Sequence, residues 1–222
     1  MCGRYALHGP TSRLREHFSV DDWPDFGDRY NIAPSLDCPV IRLSPRGERA
    51  VHLLRWGLVP HWAQDARMGA KLNNARAETV ADKPSFRAAY RRRRCLIPAS
   101  GYYEWQAVAG ARKQPWYIRL AADEPLAMGG LWESWQDPAG DLLRSFCVVT
   151  TAPNALMRPI HDRMPVIIAR SDWETWLSPN VEDPSGLLAP FPADEMQAWK
   201  VSRRVSNARE EGADLIVAAN EE

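Results

Sequence analysis

Cysteine is scarce in this sequence, and no pattern of metal ligands is present. The 222 residues include four cysteines, at positions 2, 38, 95 and 147, and five scattered histidines. A structural zinc site or a disulfide framework depends on regularly spaced ligands or cysteines, and the sequence has no C-x-x-C pair. The sequence therefore predicts neither kind of site.

Long apolar runs and an excess of charge are also absent. No stretch approaches eighteen consecutive apolar residues, and the amino terminus lacks the charged segment and apolar run of a signal peptide. Lysine plus arginine and aspartate plus glutamate number 28 each, so the net charge indicates no polyanionic partner. We expect a cytoplasmic protein, or a nuclear one in a eukaryote, that makes no membrane contact and needs no more than a monomer.

Proline and tryptophan, in contrast, are abundant, with 18 and 10 residues. Prolines recur along much of the chain and oppose long helices. The alternating segments on either side of PRGE predict a β-hairpin. Short helices are predicted at 11–19 with Thr11 or Ser12 as cap, at 76–94 with a break at Pro84, at 152–161, and at 171–178 with Ser171 as cap.

These elements predict an α+β fold in a single domain over residues 1–222. Most of the remaining segments alternate like strands, which favours a mainly antiparallel, barrel-like sheet system flanked by short helices. The segment 201–217 contains one predicted strand, and residues 218–222 form a polar end.

The opening stretch MCGRYAL places one of the few cysteines directly after the start methionine. Initiator methionine is commonly removed before a small side chain, and its removal would leave Cys2 with a free α-amine beside its thiol. Reference pKa values near 7.7–8.0 and 8.5 make both groups partly nucleophilic at neutral pH. Such a 1,2-aminothiol condenses with an aldehyde to an imine and then to a thiazolidine. Position alone also fits a frayed chain start or a buried, unreactive cysteine.

The stretch NNARAET contains an asparagine pair, an arginine and a glutamate. An asparagine in a turn usually bonds its own backbone, but it can also direct its amide at a bound group, with Arg76 on a phosphate. In GYYEWQ, strand alternation puts Glu104 on the face opposite Tyr103 and Trp105. Glu104 is then either a solvent-facing carboxylate or a partly desolvated acid/base group with a raised pKa.

His161, in the stretch PIHDRMP, is either a structural hydrogen-bonding residue or the partner of Glu104 in proton transfer. The four consecutive arginines Arg91–Arg94 fit a solvated helix end, and they also fit a groove that follows phosphates. Trp56 and Trp62, in WGLVPHW, are core residues or platforms for stacked bases, and Trp62 is predicted to be the more exposed of the two.

Together these stretches resemble a known family. MCGRYA, YNIAPS, WGLVPHWA, NNARAET, CLIPASGYYEW, TTAPN and IHDRMPVII occur in the order and approximate spacing of the SRAP (SOS response-associated peptidase) family. The resemblance spans roughly residues 2–215, and seven blocks in order make it specific.

The resemblance implies recognition of abasic sites in single-stranded DNA as part of the DNA damage response. The implied chemistry is a covalent thiazolidine cross-link between the ring-opened sugar and Cys2 after loss of Met1, which shields the lesion. By the same resemblance Cys2 is the nucleophile and Asn74 contacts the Cys2 or sugar end of the adduct. Glu104 is the proton shuttle and His161 its partner.

The resemblance also implies a set of DNA-binding residues. Arg4 and Arg76 are expected to contact phosphates beside the lesion, and Trp62 and Phe86 are expected to line the groove and pack against bases. No metal or organic cofactor is implied, and in a bacterium the protein is expected at the nucleoid.

Two other functions remain open at this stage. The family name records a cysteine peptidase, for which Cys2, His161 and Asn74 form a Cys, His, Asn arrangement that cuts peptides or only its own Met1. A lyase activity is a related possibility for the abasic-site enzyme. The third reading is a non-catalytic single-stranded DNA binder in which Cys2 is incidental.

Overall fold

The computed structural model describes residues 2–219, which form two β systems joined by short helices and turns. The strands are β1 (Tyr5–Leu7), β2 (Arg29–Ile32), β3 (Asp37–Leu43), β4 (Arg49–Trp56), β5 (Asn74–Arg76), β6 (Arg94–Ala99), β7 (Gly101–Gln106), β8 (Gln114–Leu120), β9 (Leu126–Gln136), β10 (Leu142–Thr151), β11 (Met164–Pro165) and β12 (Met196–Lys200). The helices are α1 (Thr11–Phe18), α2 (Arg87–Arg92) and α3 (Trp173–Leu177). Met1 and the last three residues of the predicted polar end lie outside the described residues.

Five strands close into a barrel in the order β4, β3, β6, β9, β10. The hairpin predicted around PRGE is present as the antiparallel pair β3 and β4. β10 pairs with β9 from Leu142–Gln136 to Val148–Gly130, and it pairs in parallel with β4 on its other side, which closes the ring. β5 runs parallel to β10 just beyond the end of the β4 pairing.

The second system is an antiparallel sheet in the order β12, β8, β7, β1, β2. β1 begins three residues after Cys2 and lies directly beside β7, with Tyr5 opposite Tyr102. This pairing brings the start of the chain next to the strand that carries Glu104. The prediction of an α+β fold with a mainly antiparallel, barrel-like sheet system is therefore confirmed.

The helices are shorter than predicted, and their caps differ. α1 begins at Thr11 with Pro10 at the N-cap and no side-chain cap, so Thr11 and Ser12 are helical residues. The predicted cap Ser171 lies inside a 3₁₀ turn, Arg170–Asp172, that precedes α3. No helix among residues 2–219 is both long and apolar enough to cross a membrane.

Three predicted segments adopt other structures. Within the segment 76–94, whose ends belong to β5 and β6, the only helical elements are α2 and a 3₁₀ turn, Ala77–Thr79, because Pro84 removes a donor and restricts the residue before it. Residues 152–161 form turns, since prolines occupy both 153 and 159. The strand expected within 201–217 is not formed, because β12 ends at Lys200 and the segment after it consists mainly of 3₁₀ turns.

Arg94, the last of the four arginines, is a buried structural residue rather than a surface cation. Its guanidinium donates to backbone carbonyl oxygens at the end of α2 and after α3, which fixes these two helix ends to each other. The acceptors are the carbonyls of Tyr90, Arg91, Trp176, Ser178 and Val181.

Candidate active site

Cys2 is buried, with 0% of its surface exposed, and one side chain from a distant strand holds its backbone. The Nδ2 group of Asn74 donates to the carbonyl oxygen of Cys2 over 2.9 Å. Asn74 reaches this position because β5 pairs with β10, with Asn74 opposite Val148. Within residues 2–219, the buried Oδ1 atom of Asn74 accepts no hydrogen bond. The Nδ2 group of Asn74 is therefore held by Cys2, and its Oδ1 atom is available to accept a hydrogen bond from a bound group.

Glu104 is a buried carboxylate, with 2% exposure, on the face of β7 that Tyr102 shares. Tyr103 points the opposite way and packs in a separate cluster with Tyr117 and Val205, as the predicted alternation requires. Burial disfavours the charged form and raises the pKa of Glu104 to about 7. At neutral pH this carboxyl group is present in both protonation states, as a group that donates and accepts protons must be.

His161 adjoins Glu104, with its Nε2 atom 3.6 Å from Oε2 of the carboxylate. The Nδ1 atom lies 3.0 Å from the backbone nitrogen of Arg163 and 3.1 Å from Oδ1 of Asp162. Burial lowers the pKa of His161, so the ring is mainly neutral at pH 7. When Nδ1 accepts from the Arg163 N–H group, the ring proton is on Nε2 and faces Glu104.

A buried thiol near a carboxylate has a raised pKa, and this applies to Cys2. Burial is the largest cause, and the negative charge of Glu104 adds to it. The Cys2 thiol therefore stays protonated in the resting site and needs a base before it can react as a thiolate. Glu104 is the carboxylate whose negative charge raises the pKa of the Cys2 thiol.

An ion pair between two of the polar stretches supports this geometry, and no sequence pattern predicts that the two residues meet. Arg163 binds both oxygens of Glu78, over 2.6 and 3.0 Å, and donates to the carbonyl of Thr150 over 2.6 Å. The pair lies 85 residues apart in sequence. Because it holds the turn after His161 against the segment after Asn74, it positions both candidate residues.

The two predicted phosphate contacts differ in their surroundings. Arg76, at the end of β5, is exposed. Arg4 is half-buried, and its guanidinium donates to Oδ1 of Asn31 over 2.9 Å and to the carbonyl of Val205 over 2.8 Å. Arg4 therefore joins β1 to the carboxy-terminal segment, while Arg76 presents an accessible charge.

The two predicted groove aromatics also differ. Trp62 is 48% exposed, whereas Trp56 is fully buried, as expected from the sequence. Phe86 is only 4% exposed and belongs to the main core, so its ring has no free face for a base. The role predicted for Phe86 is thus not supported by its burial.

The loop that carries Trp62 is held on the barrel by polar contacts on both sides of the tryptophan. Val59 donates its N–H group to Oγ of Ser145 over 2.8 Å, and Trp135 donates to the carbonyl of Ala63 over 2.6 Å. Next to Trp62, Nδ1 of His61 lies 3.3 Å from the buried Glu133, which Arg93 also binds over 2.7 Å. Arg93 is thus occupied within the protein, and Arg91 and Arg92 are the exposed members of the run.

Replacing Lys113 by glutamine is expected to raise the pKa values of both Glu104 and His161. Burial is the main cause of both shifts, raising the pKa of Glu104 and lowering that of His161. The positive charge of Lys113, at the end of the β7–β8 loop, lowers both pKa values, so it opposes the shift of Glu104 and adds to that of His161. Removal of that charge stabilises the protonated form of both groups. NMR titration of the two side chains in the wild type and in Lys113→Gln measures the change, and Lys71→Gln, an exposed lysine on the Trp62 loop, is the control. Midpoints that stay in place or move down would contradict the expectation.

Comparisons with known proteins agree on one family. The model of the SRAP family, described as "SOS response associated peptidase", matches residues 1–208. The chain is 40% identical over 222 residues to the abasic site processing protein YoqW of Bacillus subtilis (strain 168), covering 97% of this chain and 99% of that protein. It is 28% identical over 263 residues to the abasic site processing protein HMCES of Xenopus tropicalis, covering 98% and 78%. A crystal structure of a Bacteroides thetaiotaomicron protein aligns with a TM-score of 0.88 at 25% identity, covering 99% of this chain and all of that one.

Proposed function

The chain belongs to the SRAP family, and from this membership and the geometry around Cys2 we propose that it processes abasic sites by a covalent reaction with single-stranded DNA. The proposed product is a thiazolidine that joins the sugar of the abasic site to the α-amine and thiol of Cys2 after removal of Met1. The adduct shields the lesion until repair.

The meeting of four side chains from separate segments is the observation that carries this proposal. Asn74 holds the carbonyl of Cys2 over 2.9 Å, and His161 lies 3.6 Å from Glu104. The charge of Glu104 acts on the Cys2 thiol. A nucleophile, a group that fixes its backbone and a proton-transfer pair are the components that condensation with an aldehyde requires.

The first step is formation of an imine. The ring-opened sugar presents an aldehyde, and the α-amine of Cys2 adds to its carbon to give a carbinolamine. Protonated Glu104, with a pKa of about 7, donates a proton to the departing hydroxyl group, so that water leaves and a protonated imine remains. Neutral His161 stabilises the resulting carboxylate through its Nε2 side.

The second step closes the ring. The Glu104 carboxylate accepts the proton of the Cys2 thiol, which its raised pKa keeps in place until then. The sulfur attacks the imine carbon, and the nitrogen keeps its remaining proton as a secondary amine. The sum is aldehyde plus aminothiol giving thiazolidine plus water, with Glu104 returned to its protonated form.

Arg76 and Trp62 are the residues that we propose for contact with the DNA strand. Arg76 follows Asn74 by two residues, so its exposed guanidinium lies near the site and can bind a phosphate beside the lesion. Exposed Trp62 offers a ring on which a base can stack. Arg4 contributes to the shape of the site through its bonds to Asn31 and Val205 and retains further N–H groups for a phosphate.

The geometry gives less support to a cysteine peptidase acting on other proteins. In a Cys, His, Asn arrangement the third group orients the imidazole. Here Asn74 binds the backbone of Cys2, and the Nδ1 atom of His161 lies against Arg163 and Asp162. Removal of Met1 by the protein itself would need only one peptide bond to be cut. Intact mass, measured in the experiment below, shows whether Met1 has been removed.

Intact mass spectrometry tests the proposal directly. The purified protein is mixed with a single-stranded oligonucleotide that contains one abasic site. The controls are an undamaged strand and a strand with a tetrahydrofuran analogue, which cannot open to an aldehyde. We expect a mass equal to protein without Met1 plus DNA minus one water, with the abasic strand alone. The proposal fails if no such mass appears or if the analogue reacts equally well.

A further inference from the structure

A cavity of about 80 Å³ lies between α1, the β8–β9 turn and the carboxy-terminal segment. A buried water occupies roughly 10–15 Å³ on this measure, so the cavity has room for several waters or one small planar molecule. Its lining includes His8, Arg13, Tyr117, Arg119 and Trp199.

The cavity is separate from the candidate active site because the sheet lies between them. Tyr117 pairs with Tyr103, and directly paired residues share a face of the sheet. Glu104 pairs with Trp116, so Glu104 faces the other side. Nothing in the proposed reaction uses the Tyr117 face.

Two buried polar atoms in the cavity lining have no hydrogen-bond partner within residues 2–219. They are the hydroxyl oxygen of Tyr117, whose residue is 1% exposed, and the Nε2 atom of His8. Leaving such groups unpaired in the interior is costly, and native proteins pair nearly all of them. Both residues line the same small space, which is the arrangement expected for a site whose ligand supplies the missing bonds.

The position of Tyr117 depends on a glycine. A Cβ atom on Gly101 would lie 2.4–2.5 Å from the end of the Tyr117 ring and 2.6 Å from the carbonyl oxygen of Ile118. No larger residue fits at 101 without displacing the phenol or the backbone. Gly101 therefore leaves room for the side chain of Tyr117, which lines the cavity together with Ser100.

The formal charges of the lining balance, which does not favour a charged ligand. Arg119 binds the carboxylate of Asp123, and Arg13 donates to the carbonyl of Asp123 over 2.6 Å. With Glu124, the lining holds two cations and two anions. Burial raises the pKa of Tyr117 and lowers the pKa of His8, so both unpaired groups are neutral at pH 7.

We propose that this cavity binds a neutral heterocycle of nucleobase size. Its polar edge would bond the Tyr117 hydroxyl and the His8 imidazole, and its flat faces would pack on the apolar wall, which is formed by Leu14, Pro125, Trp199 and Ile216. A free base or nucleoside and an unpaired base of a DNA strand share this chemistry, and the test separates the two sources.

The test follows the ring resonances of His8 and Tyr117 by NMR while a probe is added. The probes are uracil, adenine, thymidine and an undamaged oligothymidylate, each with the full-length protein. We expect saturable shifts of these resonances with at least one probe, and about tenfold weaker binding in Tyr117→Phe, which removes one hydrogen-bond donor. Tyr103→Phe removes a hydroxyl from the same face, outside the cavity, and should bind as the wild type does.

A second variant keeps the test decisive if Tyr117→Phe is poorly folded. Ile216→Trp fills the cavity from the carboxy-terminal side and should abolish the shifts, with the fold checked by circular dichroism. Shifts with the free bases or thymidine identify a small-molecule source, and shifts with the oligonucleotide alone identify a strand base. Absence of shifts with every probe, or binding by Tyr117→Phe and Ile216→Trp that equals binding by the wild type, would overturn the proposal. Because these probes contain no abasic site, the outcome is independent of the proposed cross-link.

Discussion

Replacing Cys2 by alanine is expected to abolish the stable adduct with an abasic strand while noncovalent affinity for single-stranded DNA changes little. The thiol is the group that closes the ring, and correct positioning of a reacting group can contribute about 7–11 kcal/mol to lowering a barrier. Loss of that group should reduce the yield of thiazolidine below detection. The exposed residues proposed for DNA contact, Arg76 and Trp62, remain in place.

Borohydride separates the role of the thiol from the role of the amine. After removal of Met1, the Cys2→Ala variant still has an α-amine, so its imine should be trapped by reduction to a secondary amine. We expect an adduct for this variant with borohydride and none without it. Cys38→Ala, which alters another fully buried cysteine, is the control and should form the adduct unaided. A stable adduct with Cys2→Ala in the absence of reductant would contradict the thiazolidine.

Replacing Glu104 by glutamine is expected to slow adduct formation by about 10²–10⁴-fold, the usual contribution of a positioned acid/base group. Glutamine keeps the size of the side chain but neither donates nor accepts a proton at this pH. In the wild type, the rate should fall as the pH rises through about 7, because Glu104 loses the proton needed for loss of water. The variant should lack this decline. Rates measured by quenched gel assays at several pH values test both expectations.

The same substitution is expected to stabilise the fold at alkaline pH. The pKa of Glu104 rises from an ordinary value of 4.5 to about 7 on folding. Below 4.5 both states hold the proton, between these values only the folded state holds it, and above about 7 the folded state carries a buried charge. Stability conferred by the protonated carboxyl group is therefore lost as the pH rises to about 7.

Melting temperatures at pH 4 and pH 8 test this linkage. Glu104→Gln should match the wild type at pH 4 and exceed it at pH 8. Glu133→Gln is the matched control, because Glu133 is also buried but is paired with Arg93 over 2.7 Å. The control should lose stability at pH 8 and should leave the rate of adduct formation at saturating DNA unaffected. An unchanged rate for Glu104→Gln would refute its role as proton shuttle.

Local patterns predicted much of the site. Alternation along GYYEWQ placed Glu104 on the face opposite Tyr103, because successive side chains of a strand point to opposite faces. The proline and histidine before Trp62 indicated a turn, and turns leave side chains exposed. The burial of Glu104 was only one of two open interpretations, since alternation does not say which face of a strand meets the core.

Contacts between distant segments could not be predicted from the sequence. The sequence marks Arg4 and Phe86 as DNA-binding candidates, but it does not show that Arg4 also bonds Val205 or that Phe86 packs in the core. Arg94 appeared in a charged run, yet it is buried because carbonyls of α2 and α3 surround its guanidinium. Each of these outcomes depends on a partner that local propensity does not specify.

The bonds between Arg4 and the segment at Val205 and Ser206 also set an order of events during synthesis. At about 5–20 residues per second, a ribosome needs roughly 10–40 s to add the 200 residues that separate these partners. Until then the segment at Val205 and Ser206 is not available to pack beside β1. The start of the nascent chain therefore stays accessible to a methionine aminopeptidase. Once the chain folds, Cys2 has no exposed surface. We therefore expect Met1 to be removed during synthesis, before folding buries the Cys2 side chain.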